Sequence, residues 1–162
     1  MMKADRILIY RIITLAAIVL MLVYVVSLFR GEKESSAAFA DVETAVMSAA
    51  DLSTMQKAEN RMIKRLYGLS AGDYEGLTLY YPTTNMGAEE IFLVKLADQS
   101  QKEAVLAAVN ERLAGQKKAF DGYGVGQTEL LNASVIDDRG NYILFVVNQD
   151  AAAIDAAFAG SL

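Results

Sequence analysis

Apolar and polar positions change rhythm several times along these 162 residues. The first stretch has no rhythm: Ile12 to Phe29 reads IITLAAIVLMLVYVVSLF, eighteen residues without a charge. A helix of that length rises roughly 27 Å, close to the hydrocarbon thickness of a bilayer. Apolar on every face, it has no wet side to turn to solvent. Residues 1–30 are therefore expected to form a cytoplasmic stub and a transmembrane signal anchor, the span covering about 12–29. Lys3, Arg6 and Arg11 before the span, against Arg30 and Lys33 after it, place the N-terminus inside and the rest outside. A cleaved signal peptide is the competing reading, with Ala38-Phe39-Ala40 as a small-x-small site and cleavage after Ala40. Eleven residues separate the apolar run from that site, which favours an uncleaved anchor.

Residues 31–37 read as a polar tether, and residues 38–162 as one extracytoplasmic domain. A first helix is expected over about 38–50, with Phe39, Val42 and Val46 on one face. A second runs from a Ser53 or Thr54 cap to Tyr67, its stripe Met55, Ala58, Met62, Ile63 and Leu66, and Gly68 its stop. Then the period shortens. Gly76–Tyr81 alternates as a strand, Pro82–Gly87 connects, and Glu90–Leu96 is a second strand. Ser100 and Glu103 form a capping-box pattern before a helix carrying Val105, Val109, Leu113 and Phe120. After the glycine-rich Gly122–Gly126, a short helical turn is expected at Thr128–Asn132. A hairpin with Gly140-Asn141 as a II′ turn and Tyr142–Val147 as its second strand follows. Asp150 would cap a last helix bearing Ile154 and Phe158. The order αα-ββ-α-ββ-α predicts an α+β fold, a two-layer domain of antiparallel sheet (two hairpins) covered by helices on one side.

Composition narrows the chemistry. Cysteine and histidine are both absent, which removes disulfides, thiolate chemistry, the commonest general base and the commonest zinc ligand. After residue 30 the chain carries eleven Lys/Arg against nineteen Asp/Glu. A domain that acidic repels phosphate backbones, so no nucleic-acid partner is expected.

The local motifs are weak. Gly122-Tyr123-Gly124-Val125-Gly126 follows a helix rather than a strand and lacks dinucleotide spacing, so it reads as a helix cap and turn, or as a contact loop presenting Tyr123. Glu89-Glu90 and Asp137-Asp138 are neighbours on strands, so each pair splits across a sheet and reads as solvated strand-end and turn residues. Met47, Met55 and Met62 read as core filler rather than soft metal ligands. No catalytic residue, cofactor or metal site is expected. Tyr80, Tyr81, Met86 and Tyr123 are the candidate partner or ligand contacts.

Tyr67-Gly68-Leu69, Ala88-Glu89-Glu90-Ile91 leading into Leu93-Val94-Lys95, Gln116–Phe120 running into Gly122-Tyr123-Gly124, and Gly140-Asn141-Tyr142 carry a resemblance in their order and spacing. Over roughly 42–158 the chain resembles a bacterial, Firmicutes-type family of small exported domains, domain of unknown function 4358. The resemblance implies extracytoplasmic placement behind a membrane anchor or lipoprotein signal, and brings no activity. The family pattern places a proline after Gly-Tyr-Gly, where this chain has Val125-Gly126. The expected function is a membrane-anchored accessory module docking on another envelope protein; the alternative is a binder of a small envelope ligand (peptide, sugar or metal ion). An enzyme is not expected.

Overall fold

The computed structural model describes residues 14–22, 34–122 and 124–162. Residues 14–22 are helical with exposed apolar side chains, among them Leu15, Leu20 and Met21. The rest of the expected span 12–29 lies outside the described residues, and among those described no helix is long and apolar enough to cross a membrane. Residues 34–162 form one compact unit.

That unit is built on five antiparallel strands. They are β1 (Met55–Lys57), β2 (Gly76–Pro82), β3 (Glu90–Lys95), β4 (Val135–Arg139) and β5 (Tyr142–Val147), in the spatial order β1-β2-β3-β5-β4. The helices are α1 (Phe39–Ser48), α2 (Asn60–Tyr67), α3 (Lys102–Phe120), α4 (Val125–Asn132) and α5 (Ala151–Ser161). The mixed α+β class agrees with the sequence reading, but the expected two layers do not. Helices cover both faces. One core joins Ile63 and Tyr67 of α2, Val105 and Val109 of α3 and Leu131 of α4 to Leu79, Phe92, Val94, Ile143 and Phe145. The other joins Val42 and Val46 of α1 and Ile154 and Phe158 of α5 to Ile91, Leu93, Tyr142, Leu144 and Val146. The cause is written in β3 and β5, EIFLVK and YILFVV, which are buried at every position. Strands apolar on both sides require cover on both sides.

Four further expectations change. The second helix begins at Asn60, because Met55–Lys57 pairs with Pro82–Tyr80 as an edge strand. Met55 belongs to the sheet core rather than to a helical stripe. The capping box before α3 is Asp98 with Gln101, two residues upstream of Ser100 and Glu103, and closes a 3-10 turn at Gln99–Gln101. α4 starts at Val125 rather than Thr128, and Asp150 sits at the head of α5 without a side-chain cap bond. Gly68 (φ +70°) ends α2 in the left-handed conformation expected of it. Gly140 (φ +61°), with no positive φ at Asn141, fits the II′ turn.

The presumed tether is partly structural. Ser35 N–H donates to Asn141 Oδ1 at 2.9 Å, and the Ala37 carbonyl accepts from Tyr142 OH at 2.8 Å and from Lys95 Nζ at 3.1 Å. Residues 34–37 are thus bound along the β4–β5 turn and β3.

Phe39 packs its ring over Gly76, where an added Cβ would fall inside that ring. Gly76→Ala should therefore expel Phe39 and destabilise the fold by about 1–3 kcal/mol. Urea unfolding of the variant should show a lower midpoint with an unchanged slope; an unaltered midpoint would remove this packing account.

Candidate functional site

Glu90 is the first residue of β3, and its place on the strand turns it to the same face as Phe92 and Val94, toward α2 and α3. It is fully buried. A carboxylate there is tolerated only if donors surround it. Four side-chain donors do. Tyr67 OH, at the end of α2, donates to Oε1. Arg112 Nε reaches both oxygens at 3.1 Å, and its Nη2 reaches Oε2 at 2.7 Å. Gln116 Nε2, one turn further along α3, donates to Oε2 at 2.8 Å. The Tyr67 ring also stacks on Phe92, centroids 4.1 Å apart.

The electrostatics follow from this enclosure. Burial, and then the adjacent Glu90 charge, push the Tyr67 hydroxyl well above the ordinary phenol range, so it stays a donor. Burial alone would lower the Arg112 guanidinium; its bonds and attraction to Glu90 outweigh that and raise it. Because Gln116 must turn its NH₂ to Glu90, its own Oε1 is left buried without a partner.

Above this network an open groove of about 280 Å³ separates α2 from α3. Met62, Arg65 and Leu66 form one wall, Arg112, Gln116 and Phe120 the other, and Tyr81 and Pro82 the end of the sheet. A second hollow of about 340 Å³ shares Met62, Arg65 and Tyr81 and extends to Lys57, Arg61 and Gln56 beside β1. The two adjoin at Met62, Arg65 and Tyr81 and together are called the channel.

Of the four expected contact residues, the three that are described do not share one face. Tyr81 lines this channel, while Tyr80 faces the other side of the sheet, against α1, with Lys57 Nζ 5.8 Å from its ring centre. Adjacent strand residues cannot share a face. Met86 is 67% exposed on the β2–β3 loop, its carbonyl accepting from Gln127 Nε2. Tyr123 lies outside the described residues. Of the carboxylate pairs, Asp137 and Asp138 do split: Asp138 pairs with Lys102 of α3 at 2.5 Å, and Asp137 meets Arg139 at 2.6 Å. Glu90 departs from the solvated reading completely. No group of three or more acidic residues is arranged to hold a metal ion among the described residues.

The sequence reading missed Tyr67, Arg112 and Gln116 as partners of Glu90, which lie 22 to 26 residues away in the chain. One signal was present: Tyr67, Glu90 and Gln116 all fall within the segments that carried the family resemblance.

Removing Arg112 should strand a buried charge. Arg112→Met is expected to cost about 3–5 kcal/mol in chemical unfolding, and the pair Arg112→Met with Glu90→Leu to recover most of it. A single variant as stable as the parent would contradict the network. A second prediction concerns Asp155 of α5, whose carboxyl is raised above its ordinary value by burial and then by the Asp137 carboxylate, Arg139 opposing. A raised acid favours the fold below pH ~3.8 and loses that contribution as pH rises through its folded value. Asp155→Asn should therefore raise the melting temperature at pH 7, with the gain shrinking toward pH 4. A gain that grew on acidification would reverse the assignment.

No curated protein and no solved structure matches the chain. The family model described as "Domain of unknown function (DUF4358)" matches residues 48–148, which takes in β1 through β5, the Glu90 network and the channel above it, and the chain belongs to that family.

Proposed function

We propose that this chain is a membrane-anchored extracytoplasmic module of the cell envelope that acts by binding another envelope component in the channel between α2 and α3. The observation that carries the reading is the channel itself. It is concave, its walls mix apolar surface with Arg65, Arg112 and Gln116, and its floor is held rigid by a saturated carboxylate. Binding suits it better than catalysis. Both Glu90 oxygens are occupied by donors, so this buried carboxylate has no lone pair aimed at a substrate.

Anchoring is supported by the uncharged run over 12–29 and the basic residues before it. The docked segment 34–37 supports retention of that anchor. Cleavage after Ala40 would cut within α1 and remove the residues bonded to Asn141, Tyr142 and Lys95.

The test uses the full-length chain carrying a photo-crosslinking residue at position 81 or, facing the opposite side, position 80. The chain should sediment with membranes and be digested by protease added to spheroplasts. A defined adduct should form from position 81 and not from position 80. Adducts from position 80 alone, or a protected domain, would overturn the reading.

A further inference from the structure

Resting on the binding reading above, we propose that the occupant of the hollow beside β1, which adjoins that groove, is an extended, acidic segment of a partner protein, added as a strand along the β1 edge.

The edge of β1 supplies the backbone half of this site. Thr83 N–H donates to Thr54 O at 3.0 Å, and Ala58 N–H to Leu79 O at 2.8 Å. Between these bonds lies the Gln56↔Tyr81 pair, so alternation directs the Gln56 backbone to β2 and the Lys57 N–H and C=O away from it. β1 is the end of the sheet. Met55 N–H is already taken by Leu52 O at 3.0 Å, which leaves Lys57 as the residue that offers both a donor and an acceptor outward.

Charge supplies the other half. The domain as a whole is acidic, yet α2 carries Arg61, Lys64 and Arg65 and no acid, so that in the hollow beside β1 Arg61, Arg65 and Lys57 outnumber Glu59 at the helix cap. Arg61 and Arg65 are one helical turn apart, line the channel beside β1, and make no ion pair among the described residues. Lys57 is different: its ammonium is 2.6 Å from Glu43 and is raised by that bond. In an added strand every second side chain faces the same way, about 6.6 Å apart, against about 6 Å for one turn between the arginines. An acidic-x-acidic segment therefore presents its carboxylates at the spacing of Arg61 and Arg65. Met62 and Tyr81 give the chain between them an apolar bed. A polyanion without a peptide backbone would use the arginines and ignore the edge.

The test measures binding of a labelled nonapeptide of alternating Glu and Val to the full-length chain in detergent micelles, by fluorescence anisotropy. Comparison peptides replace Glu by Lys, or N-methylate the backbone on one edge. The acidic peptide should bind, the basic one should not, and N-methylation should weaken binding about tenfold. Arg61→Glu with Arg65→Glu should weaken it at least about tenfold. Lys57→Pro removes an N–H that the β1–β2 ladder does not use and should also weaken it. Each variant's melting temperature reports whether it folds, and the methylated peptide tests the edge without altering the protein. Equal binding of acidic and basic peptides, indifference to N-methylation, or full displacement by polyphosphate with no effect of Lys57→Pro would overturn strand addition. Should acidic peptides fail while position 81 still yields its adduct, the occupant is wrong and the channel stands. Failure of both removes the channel as well.

Discussion

A carboxylate with no exposure to water must be met by donors, and Glu90 sits at the head of the central strand with none of its surface accessible. Among the described residues, no backbone group meets this demand. It is met by side chains from two helices, Tyr67 from α2 and Arg112 and Gln116 from α3. The charge therefore specifies where both helices must lie, more narrowly than apolar packing does, since hydrophobic contact has no direction. Stacking of Tyr67 on Phe92 ties the same point to the sheet. With α2 pinned at Tyr67 and α3 at Arg112 and Gln116, the space between the helices outward of those side chains remains open, and that space is the groove.

The other face of the sheet obeys a simpler rule. Ile91, Leu93, Leu144 and Val146 project from β3 and β5 into α1 and α5, and the buried charge on this face, Lys95, sits at the end of β3 paired with Glu75 rather than between two helices. Its polar contacts lie at the margin, where Lys95 and Tyr142 hold the Ala37 carbonyl. Burial, then Glu75 and Asp41, push the Tyr142 hydroxyl up to about 12, which keeps it a donor to that carbonyl across the ordinary pH range. The molecule thus pairs one face closed mainly by apolar packing, its ion pair at the margin, with one whose helices are positioned by a buried ion pair between them, and the α2–α3 groove occurs on the second.

How much of this could be read from the chain depended on how local the signal was. The β4–β5 hairpin was legible because Gly140-Asn141 carries its own turn chemistry, and Gly68 because a helix stop needs only one residue. β1 was not, since three residues give no period and Met55 fitted a helical stripe as well as a sheet core. Cover on both faces was present in the unbroken burial of EIFLVK and YILFVV, but the hairpin pattern outweighed it. Glu90 looked like any acid at a strand start, because each of its partners is more than twenty residues distant. Tyr80 and Tyr81 were grouped by sequence adjacency although the strand period separates them.

Amide hydrogen exchange on the full-length chain, comparing Glu90→Gln with the parent, tests the central claim most directly. If the buried carboxylate positions α2 and α3, exchange should rise across Asn60–Tyr67 and the C-terminal half of α3 around Arg112–Phe120, with α1 and α5 unchanged. Equal acceleration on both faces of the sheet, or none in α2, would mean that apolar packing alone sets the channel and that Glu90 is only a tolerated charge.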